Sequence, residues 1–517
     1  MKSTHSELRD EHAALQAVVL ADKQRLAQHE QQLDVLQAQL NKIVYPILAL
    51  PLEITTTIFS LCGPQLIRGY YVHYLDVKSG PRRFMQVCRR WRQIALSTPT
   101  LWATVYVDLE KPLLEDQFLV HLERSAGIPL NLGICGYPAA NPAHDPEGDD
   151  EEPGYLPLKH LRPHMEMLPR YSARVRTLEF RMSAASFVEV DDEFLGNSVL
   201  EFPILQRLQL PHPSLYDVTT PYNMFARSPR LTHLVGVCGN PQQLTLAWDK
   251  LETFEMSTGI GGIPGLGVYQ CIELLKAMPN LRKAFLRCTS SEVDAGTMHT
   301  HPMLEDLSVH ICDPVHILDF LVAPALRKLK VTRWQSKDTV LAINAFVKRS
   351  SPPLESLSTI ITNPIPSEDL IELFKLTPAL TSLEIRQPSR ASIDALGTAF
   401  AARPALLPKL RRLSLLDIRT IDDGKEPRRK WPLKDLVASI VSALSKRDTP
   451  VSLEQLVVSA PSGILMRASF WRTTRKANEP DSSIYDDDKR ALRAFRAQGM
   501  YVDLSHEIES KLVRVQI

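Results

Sequence analysis

Charge of one sign is what this sequence lacks first: 60 Lys and Arg stand against 59 Asp and Glu, a net charge of +1 over 517 residues. Without a bulk electrostatic pull, no broad affinity for nucleic acid or an anionic membrane is expected, and a charge-led partner has to be met locally. Membrane-length apolar runs are missing too. The run from Ile43 to Pro51 is far short of the about 20 residues that span a bilayer. The start, MKSTHSELRDEH, has no apolar signal-peptide core, so the expected location is the cytosol or nucleus. Cysteine offers no framework either. The seven cysteines, at 62, 88, 135, 238, 271, 288 and 312, are odd in number and never spaced CxxC, so free, mostly buried thiols are expected. Glycine is scarce at 21 residues while proline is abundant at 38, a bias that many short elements ended by proline would produce.

Catalytic signatures are absent as well. There is no GxxxxGK[ST], no GxGxxG followed by an acidic residue, no GxSxG and no HExxH. The one glycine-rich stretch, Gly259 to Gly267, contains Pro264 and reads as a loop, not a phosphate cradle. His299, His301, His310 and Cys312 are spaced too irregularly for a metal site. No nucleophile has a recognisable base partner. A non-enzymatic protein without metal or cofactor is expected.

What is present begins with a helix. Residues 1–45 contain neither Pro nor Gly, and their apolar residues fall on a seven-residue grid. Val19, Leu26, Leu33 and Leu40 hold one position and Leu8, Leu15, Leu36 and Ile43 the other, with Asp22 and His29 as polar interruptions. Such a stripe either pairs with another helix, by self-association or within the chain, or belongs to a solitary helix that frays. Pro46 ends it.

Residues 46–102 read as a compact helical motif. Leu50 and Pro51 lead into a helix carrying Ile54, Ile58 and Phe59, and a second helix is expected to place Phe84, Val87, Cys88, Trp91, Ile94 and Ala95 on one face. Together LPLEI...IF and VCRRWRQIALSTPTLW resemble the F-box, in the form familiar from the large F-box families of mushroom-forming fungi. The segment from Ser60 to Arg83 is longer than the link of a compact F-box. The resemblance implies docking onto the Skp-type adaptor of a cullin–RING ubiquitin ligase, with Leu50, Pro51, Ile54, Ile58, Phe59, Val87 and Trp91 as adaptor contacts. The competing reading is that these residues only fill a small helical core.

Residues 138–157, PAANPAHDPEGDDEEPGYLP, combine six carboxylates with Pro and Gly and read as a solvated loop. From about residue 171 a six-residue phrase recurs, apolar at its first, fourth and usually sixth positions: VRTLEF at Val175, LQRLQL at Leu205, LTHLVG at Leu231, LETFEM at Leu251, LRKAFL at Leu281, LEDLSV at Leu304, LRKLKV at Leu326, LESLST at Leu354, LTSLEI at Leu380, LRRLSL at Leu410 and LEQLVV at Leu453. The rhythm is similar to that of leucine-rich repeats, of the irregular type found in F-box proteins. Each phrase is expected to be a short strand. Helices are expected between them at Val268–Ala277, Val315–Leu321, Lys337–Arg349, Ser367–Leu376, Ala391–Ala401 and Leu433–Leu444, and Asp486–Gln498 with the following MYVDLS would cap the array. A proline before many phrases would end the preceding helix.

The architecture expected is therefore α/β: a coiled-coil helix (1–45), a small all-helical F-box (46–105), a linker with an acidic Pro-rich loop (106–170) and a leucine-rich-repeat-like solenoid (171–517). Positions three and five of each phrase would face outward on the concave sheet. Lys283, Arg287, Lys328, Lys330 and Arg333 make the central repeats basic, suggesting an acidic or phosphorylated target segment, against the alternative of a solvated face. The leading functional expectation is the substrate receptor of a Skp–cullin–F-box ubiquitin ligase, with an unknown protein target. The alternative is a non-catalytic coiled-coil and repeat scaffold outside ubiquitin transfer.

Overall fold

A long apolar-striped helix, a knot of short helices and a train of short strands follow one another along the chain. The computed structural model describes residues 2–42, 47, 50–62, 81–108, 115–136, 168–182, 199–210, 223–236, 244–256, 266–288, 298–311, 317–333, 339–361, 365–400, 406–416, 455–459, 501–508 and 511–515. The long link at 63–80, the acidic segment 138–157, the expected helices Leu433–Leu444 and Asp486–Gln498, and Cys238 and Cys312 lie outside the described residues. Two compact units are resolved, Met1–Thr104 with Leu119–Ile128 and Val105–Phe118 with Pro129–Ile517. The first contains α1 (Lys2–Lys42), α2 (Leu52–Leu61), α3 (Pro81–Val87), α4 (Arg89–Leu96) and the last turns of α5 (Glu115–Arg124).

The larger unit is organised by its strands: β1 (Thr104–Asp108), β2 (Leu130–Gly136), β3 (Val175–Met182), β4 (Arg207–Gln209), β5 (His233–Val235), β6 (Thr253–Glu255), β7 (Lys283–Cys288), β8 (His299–Thr300) and β9 (Asp306–Ile311). They continue as β10 (Leu321–Val322), β11 (Lys328–Arg333), β12 (Ser356–Ile360), β13 (Ser382–Arg386), β14 (Arg412–Leu416), β15 (Gln455–Ser459), β16 (Tyr501–Ile508) and β17 (Lys511–Val515). Among the described residues β8 and β10 pair separately, and the other fifteen form one sheet in chain order. From β2 to β16 every neighbour pair is parallel, and β17 turns back antiparallel to β16. Parallel neighbours need crossovers, supplied in part by α6 (Val268–Ala277), α7 (Ile317–Phe320), α8 (Thr339–Ser350), α9 (Ser367–Leu376) and α10 (Arg390–Phe400). A one-strand-per-phrase parallel sheet is compatible with a repeat solenoid.

Register explains why the phrase recurs. Its fourth residues stack as Leu178, Leu208, Leu234, Phe254, Ala284, Leu307, Leu329, Leu357, Leu383 and Leu413, all buried. Its first residues, from Val175 through Leu410, are buried too. The second residue of each phrase does a backbone task. The carbonyl of Glu305 accepts N–H groups from Arg327 and Lys328 at 2.8 and 3.0 Å, and that of Arg327 accepts Glu355 and Ser356 at the same distances. From Glu252 to Glu355 the side chains at this position alternate in sign, so that Arg282 meets Glu305 at 2.9 Å and Arg327 meets Glu355 at 3.0 Å. These exposed pairs favour the alignment weakly.

Three expectations need correction. Residues 106–170 are not only linker, because β1, α5 and β2 fall within or across that range and both strands join the main sheet. The phrase was hidden there: Leu130, Leu132 and Ile134 are buried at alternate positions, a plain strand pattern, not LxxLxL. Gly133 is required between them, since a Cβ would lie 2.5 Å from Cδ1 of Tyr106. Second, the described part of the expected helix Val315–Leu321 is one turn, Ile317–Phe320, after which Leu321 enters β10 and pairs with His299. Third, the prolines do more than stop helices. The N–H groups of Leu205, Leu231, Leu281, Leu326, Leu380 and Leu410 donate to Phe202, Ser228, Met278, Ala323, Thr377 and Leu407 at 3.0–3.3 Å. Each bond closes a four-residue turn with proline second, where its fixed φ is preset. With glycine scarce, left-handed helix exits fall to Ala126 (φ 49°) after α5 and Ser351 (φ 46°) after α8.

Replacing Pro279 and Pro378 by Ala together should therefore destabilise the larger unit by about 0.4–1 kcal/mol per site, nearly additively because the turns lie in different repeats. Urea unfolding of the full chain measures it, and an unchanged midpoint would contradict the preset-turn argument.

Candidate functional site

The smaller unit concentrates exposed apolar side chains on short helices that also own a core. α2 begins at Pro51, whose extended geometry (ψ 152°) makes it the N-cap. The carbonyl of Pro51 accepts both the backbone N–H and the hydroxyl of Thr55, each at 3.1 Å. Thr57 and Ser60 return their hydroxyls to Glu53 and Thr56, which satisfies polar groups that otherwise disfavour a helix interior. The helix then has two faces. Thr55 and Phe59, four apart, point inward and are buried, while Ile54, Ile58 and Leu61, at spacing i, i+4, i+7, share another stripe.

The expected single helix over Phe84–Ala95 is broken. Cys88 is extended (φ −158°, ψ 169°) and caps α4, its Sγ accepting the N–H of Trp91 at 3.5 Å. The break turns α4, with Trp91, Ile94 and Ala95, relative to α3, and Val87, the last residue of α3, is exposed. Phe84 instead stacks on Phe59 with centroids 4.1 Å apart, and Trp91 meets Phe59 edge-on at 4.9 Å. This aromatic set joins the buried cluster of Phe59, Ile94, Ala95, Leu101 and Trp102. The Trp102 indole donates to Ala95 O at 2.8 Å, Arg124 lies over its ring at 4.6 Å, and His121 packs against its edge. Arg90 and Arg92 tie the pieces together by donating to Leu50 O and Met85 O.

The seven residues expected to contact an adaptor thus separate by position. Pro51, Ile54 and Val87 are exposed, Leu50 and Ile58 half-buried, Trp91 half-buried within the aromatic set, and Phe59 only 1% exposed in the core. The structure adds residues the sequence reading missed: Ile47, Leu52, Leu61 and Leu96 are 41–64% exposed. For Leu61 the signal was the second apolar stripe of α2, shared with Ile54 and Ile58; Ile47 and Leu96 lie outside that helix. These exposed large apolar side chains make this unit the first candidate docking surface.

The second candidate surface is the outward parity of the sheet. Lys283, Asp306 and Lys328 stand side by side in one row, and Phe285, Ser308, Lys330 and Ser358 in the next. Lys328 and Lys330 are exposed. Lys283 is less available, with Nζ 3.7 Å from Glu255. Arg287 and Arg333 lie within β7 and β11, not beyond them. Arg287 has outward parity but a buried Nε, and beside it burial first and then the Arg287 charge hold His310 below its ordinary pKa. Arg333 has the parity of buried Leu329 and Val331. The basic patch therefore narrows to Lys328 and Lys330.

Among the described residues, no group of three or more His, Cys, Asp or Glu is placed to hold a metal, and no helix is long and apolar enough to cross a membrane. His299 and His301 approach edge-on, but His301 is buried with Nε2 3.0 Å from Met278 O. Cys271 and Cys288 are buried thiols 3.5 Å apart, and their hydrogen bond, followed by burial, pushes the Cys288 thiol well up from its ordinary value.

Comparison with known families gives one match: residues 47–108 fit the family model described as F-box-like. No curated protein matches the chain.

His121 supplies a test of this unit. Burial, then the Arg82 and Arg124 charges, lower its pKa from 6.5 to about 4, and Nδ1 is buried without a partner among the described residues. Between those values the unfolded chain binds a proton that the folded unit refuses. Stability is thus full above pH 6.5 and falls as pH drops toward 4, by about 3 kcal/mol at most. Melting followed by tryptophan fluorescence should show this slope, flattened in His121→Gln; an equal slope in both proteins would contradict it.

Proposed function

We propose that this chain is the substrate receptor of a Skp–cullin–F-box ubiquitin ligase, in which the F-box-like unit docks the Skp-type adaptor and a leucine-rich-repeat-like array holds the target. The observation that carries it is the coincidence of the F-box-like match at 47–108 with exposed Ile54, Leu61 and Val87 on helices whose other faces are fully used by a core. F-box domains typically bind Skp-type adaptors, and the physics is helix-in-groove recognition by a few apolar anchors. The chain itself contributes binding and not bond chemistry. Ubiquitin transfer by the other subunits then acts through proximity to the held target, in the cytosol or nucleus.

Of the residues expected at the adaptor interface, Leu50, Pro51, Ile54, Ile58 and Val87 serve as contacts, joined by Leu52 and Leu61, while Phe59 and Trp91 act from beneath by holding the helices. Replacing exposed Ile54 and Val87 by Glu should weaken adaptor binding at least about 100-fold without moving the melting temperature. Calorimetric titration of the full chain with purified adaptor measures it. Unchanged affinity in the folded double variant would end the docking reading and favour a scaffold outside ubiquitin transfer.

On the array, the target segment is acidic or phosphorylated and sits across β9, β11 and β12. Lys328 and Lys330 supply the charge; Ser308 and Ser358 flank Lys330 in register, and Ser356 and Asp306 flank Lys328. Since one exposed pair contributes only about 1 kcal/mol or less, selectivity needs both lysines. Lys328→Glu with Lys330→Glu should abolish binding to phosphoserine peptides on an array and leave adaptor affinity intact. Retained peptide binding at physiological salt would show that this face is merely solvated.

A further inference from the structure

Helix α1 is continuous from Lys2 to Lys42, about 60 Å long at the α-helical rise. All its described side chains are exposed, including Leu8, Leu15, Val19, Leu26, Leu33 and Leu36 at 52–65%. Nothing among the described residues covers them. The period of the stripe identifies what could. Apolar residues repeat every seven, and a straight helix drifts about 20° per heptad from such a repeat. Over the length of α1 the stripe would leave a flat protein surface, whereas another helix supercoiling with the same period follows it throughout. The occupant is therefore a heptad helix.

We propose that the occupant is α1 of a second copy of this chain, in a parallel, in-register, two-stranded coiled coil. The order of polar seam residues carries the choice. One seam position reads His5, His12, Val19, Leu26, Leu33 and the other Leu8, Leu15, Asp22, His29, Leu36. In parallel register each residue meets its own copy, so every apolar layer is apolar on both sides and the four polar layers meet one another. Flanking charges agree, because Arg25 then faces Glu30 of the second copy on both sides of the seam. An antiparallel pairing centred on residue 24 would set Asp22 against Leu26, His29 against Val19, and Arg25 and Lys23 each against itself, and the pairing one heptad away would still set Asp22 against Val19 and His5 against Leu36. The aligned Asp22 layer weakens the parallel coil. Its charge is offset in part by Arg25, whose Nη1 lies 3.6 Å away on the same helix, and a polar seam layer of this kind fixes register at a cost in stability. Val19 beside leucines in the alternate position also suits two strands.

The dimer stands independently of the adaptor reading. If both hold, the two F-box-like units leave the same end of one coil, and a single particle carries two adaptor docks and two target surfaces, so a doubly marked target is held by avidity.

Sedimentation equilibrium of the full chain should give twice the chain mass, and Leu26→Glu with Leu33→Glu should halve it while leaving adaptor binding per chain unchanged. Both substitutions fall on exposed residues, so the remainder of the chain keeps its melting behaviour. Direction is read by cysteine linkage in a Cys62→Ser background. His29→Cys chains should cross-link to one another under mild oxidation, as parallel register places position 29 beside itself. A wild-type particle of single-chain mass would overturn the proposal. So would linkage that occurs only when His29→Cys chains are mixed with Val19→Cys chains, the antiparallel result. Loss of adaptor binding by Ile54→Glu and Val87→Glu tests the other reading and leaves the mass unaffected.

Discussion

No strand of the larger unit can satisfy its own backbone, and that dependence orders everything around it. A strand of three to six residues, such as β4 or β11, has donors and acceptors on both edges and one apolar face. Both needs are met only by a neighbour with the same phrase in the same register. From Gln206 to Thr381 the carbonyl of each second residue takes two N–H groups from the following repeat, so a slip of one residue would break these bonds and turn the buried leucine stack outward at once. Repetition is thus enforced at positions one, two and four, whereas positions three and five carry no such duty. Their side chains can vary from Thr253 to Lys328 to Ser382 without disturbing what lies beneath.

The smaller unit solves a different problem with the same economy of residues. Its helices are too short to bury much, and one face of each is spent on the aromatic core built from Phe59, Phe84, Trp91 and Trp102. The break at Cys88 is decisive here. Phe84 and Val87 share α3, so what the break changes is the direction of α4. Two helices meeting at an extended cysteine let Phe84 and Trp91 converge on Phe59, while Val87 on α3, like Ile54 and Leu61 on α2, stays exposed. Core and exposed apolar surface are consequently made by the same short segments, and a substitution can be assigned to one or the other only by its place on the helix.

Much of this was legible in the sequence where a period carried it. The LxxLxL phrases located their strands, and Ser367–Leu376 and Val268–Ala277 were read to the residue because proline or glycine precedes them and a turn follows. Legibility ended where a feature depended on residues distant in the chain or on a single dihedral angle. Cys88 differs from any small helical residue only by its conformation. Glu255 neutralises Lys283 from the neighbouring repeat, 28 positions earlier, so that a basic cluster counted along the sequence is smaller in space. α5 was not anticipated because Arg124 and His121 acquire meaning only beside Trp102. β2 escaped because its leucines alternate without forming the phrase. Phe59 and Trp91 belong to the matched segment, yet membership in a motif does not say whether a side chain faces a partner or supports those that do.

The distribution of charge follows the same logic as the distribution of leucine. With acids and bases nearly equal in number, the field over the whole molecule is close to balanced, and net charge shows locally where neighbouring strands fail to cancel. At position two they cancel by alternation, Arg282 with Glu305 and Arg327 with Glu355. On the outward face Arg207 meets Glu179, Lys283 meets Glu255 and Arg386 meets Glu384. β11 carries two exposed lysines in successive outward rows: Lys328 stands between Asp306 and Ser356, whereas Lys330 stands between Ser308 and Ser358. A strand that keeps every interior rule of the sheet can vary its outward charge at little cost to the fold, and Lys330 is a lysine with a serine, not a carboxylate, on each neighbouring strand.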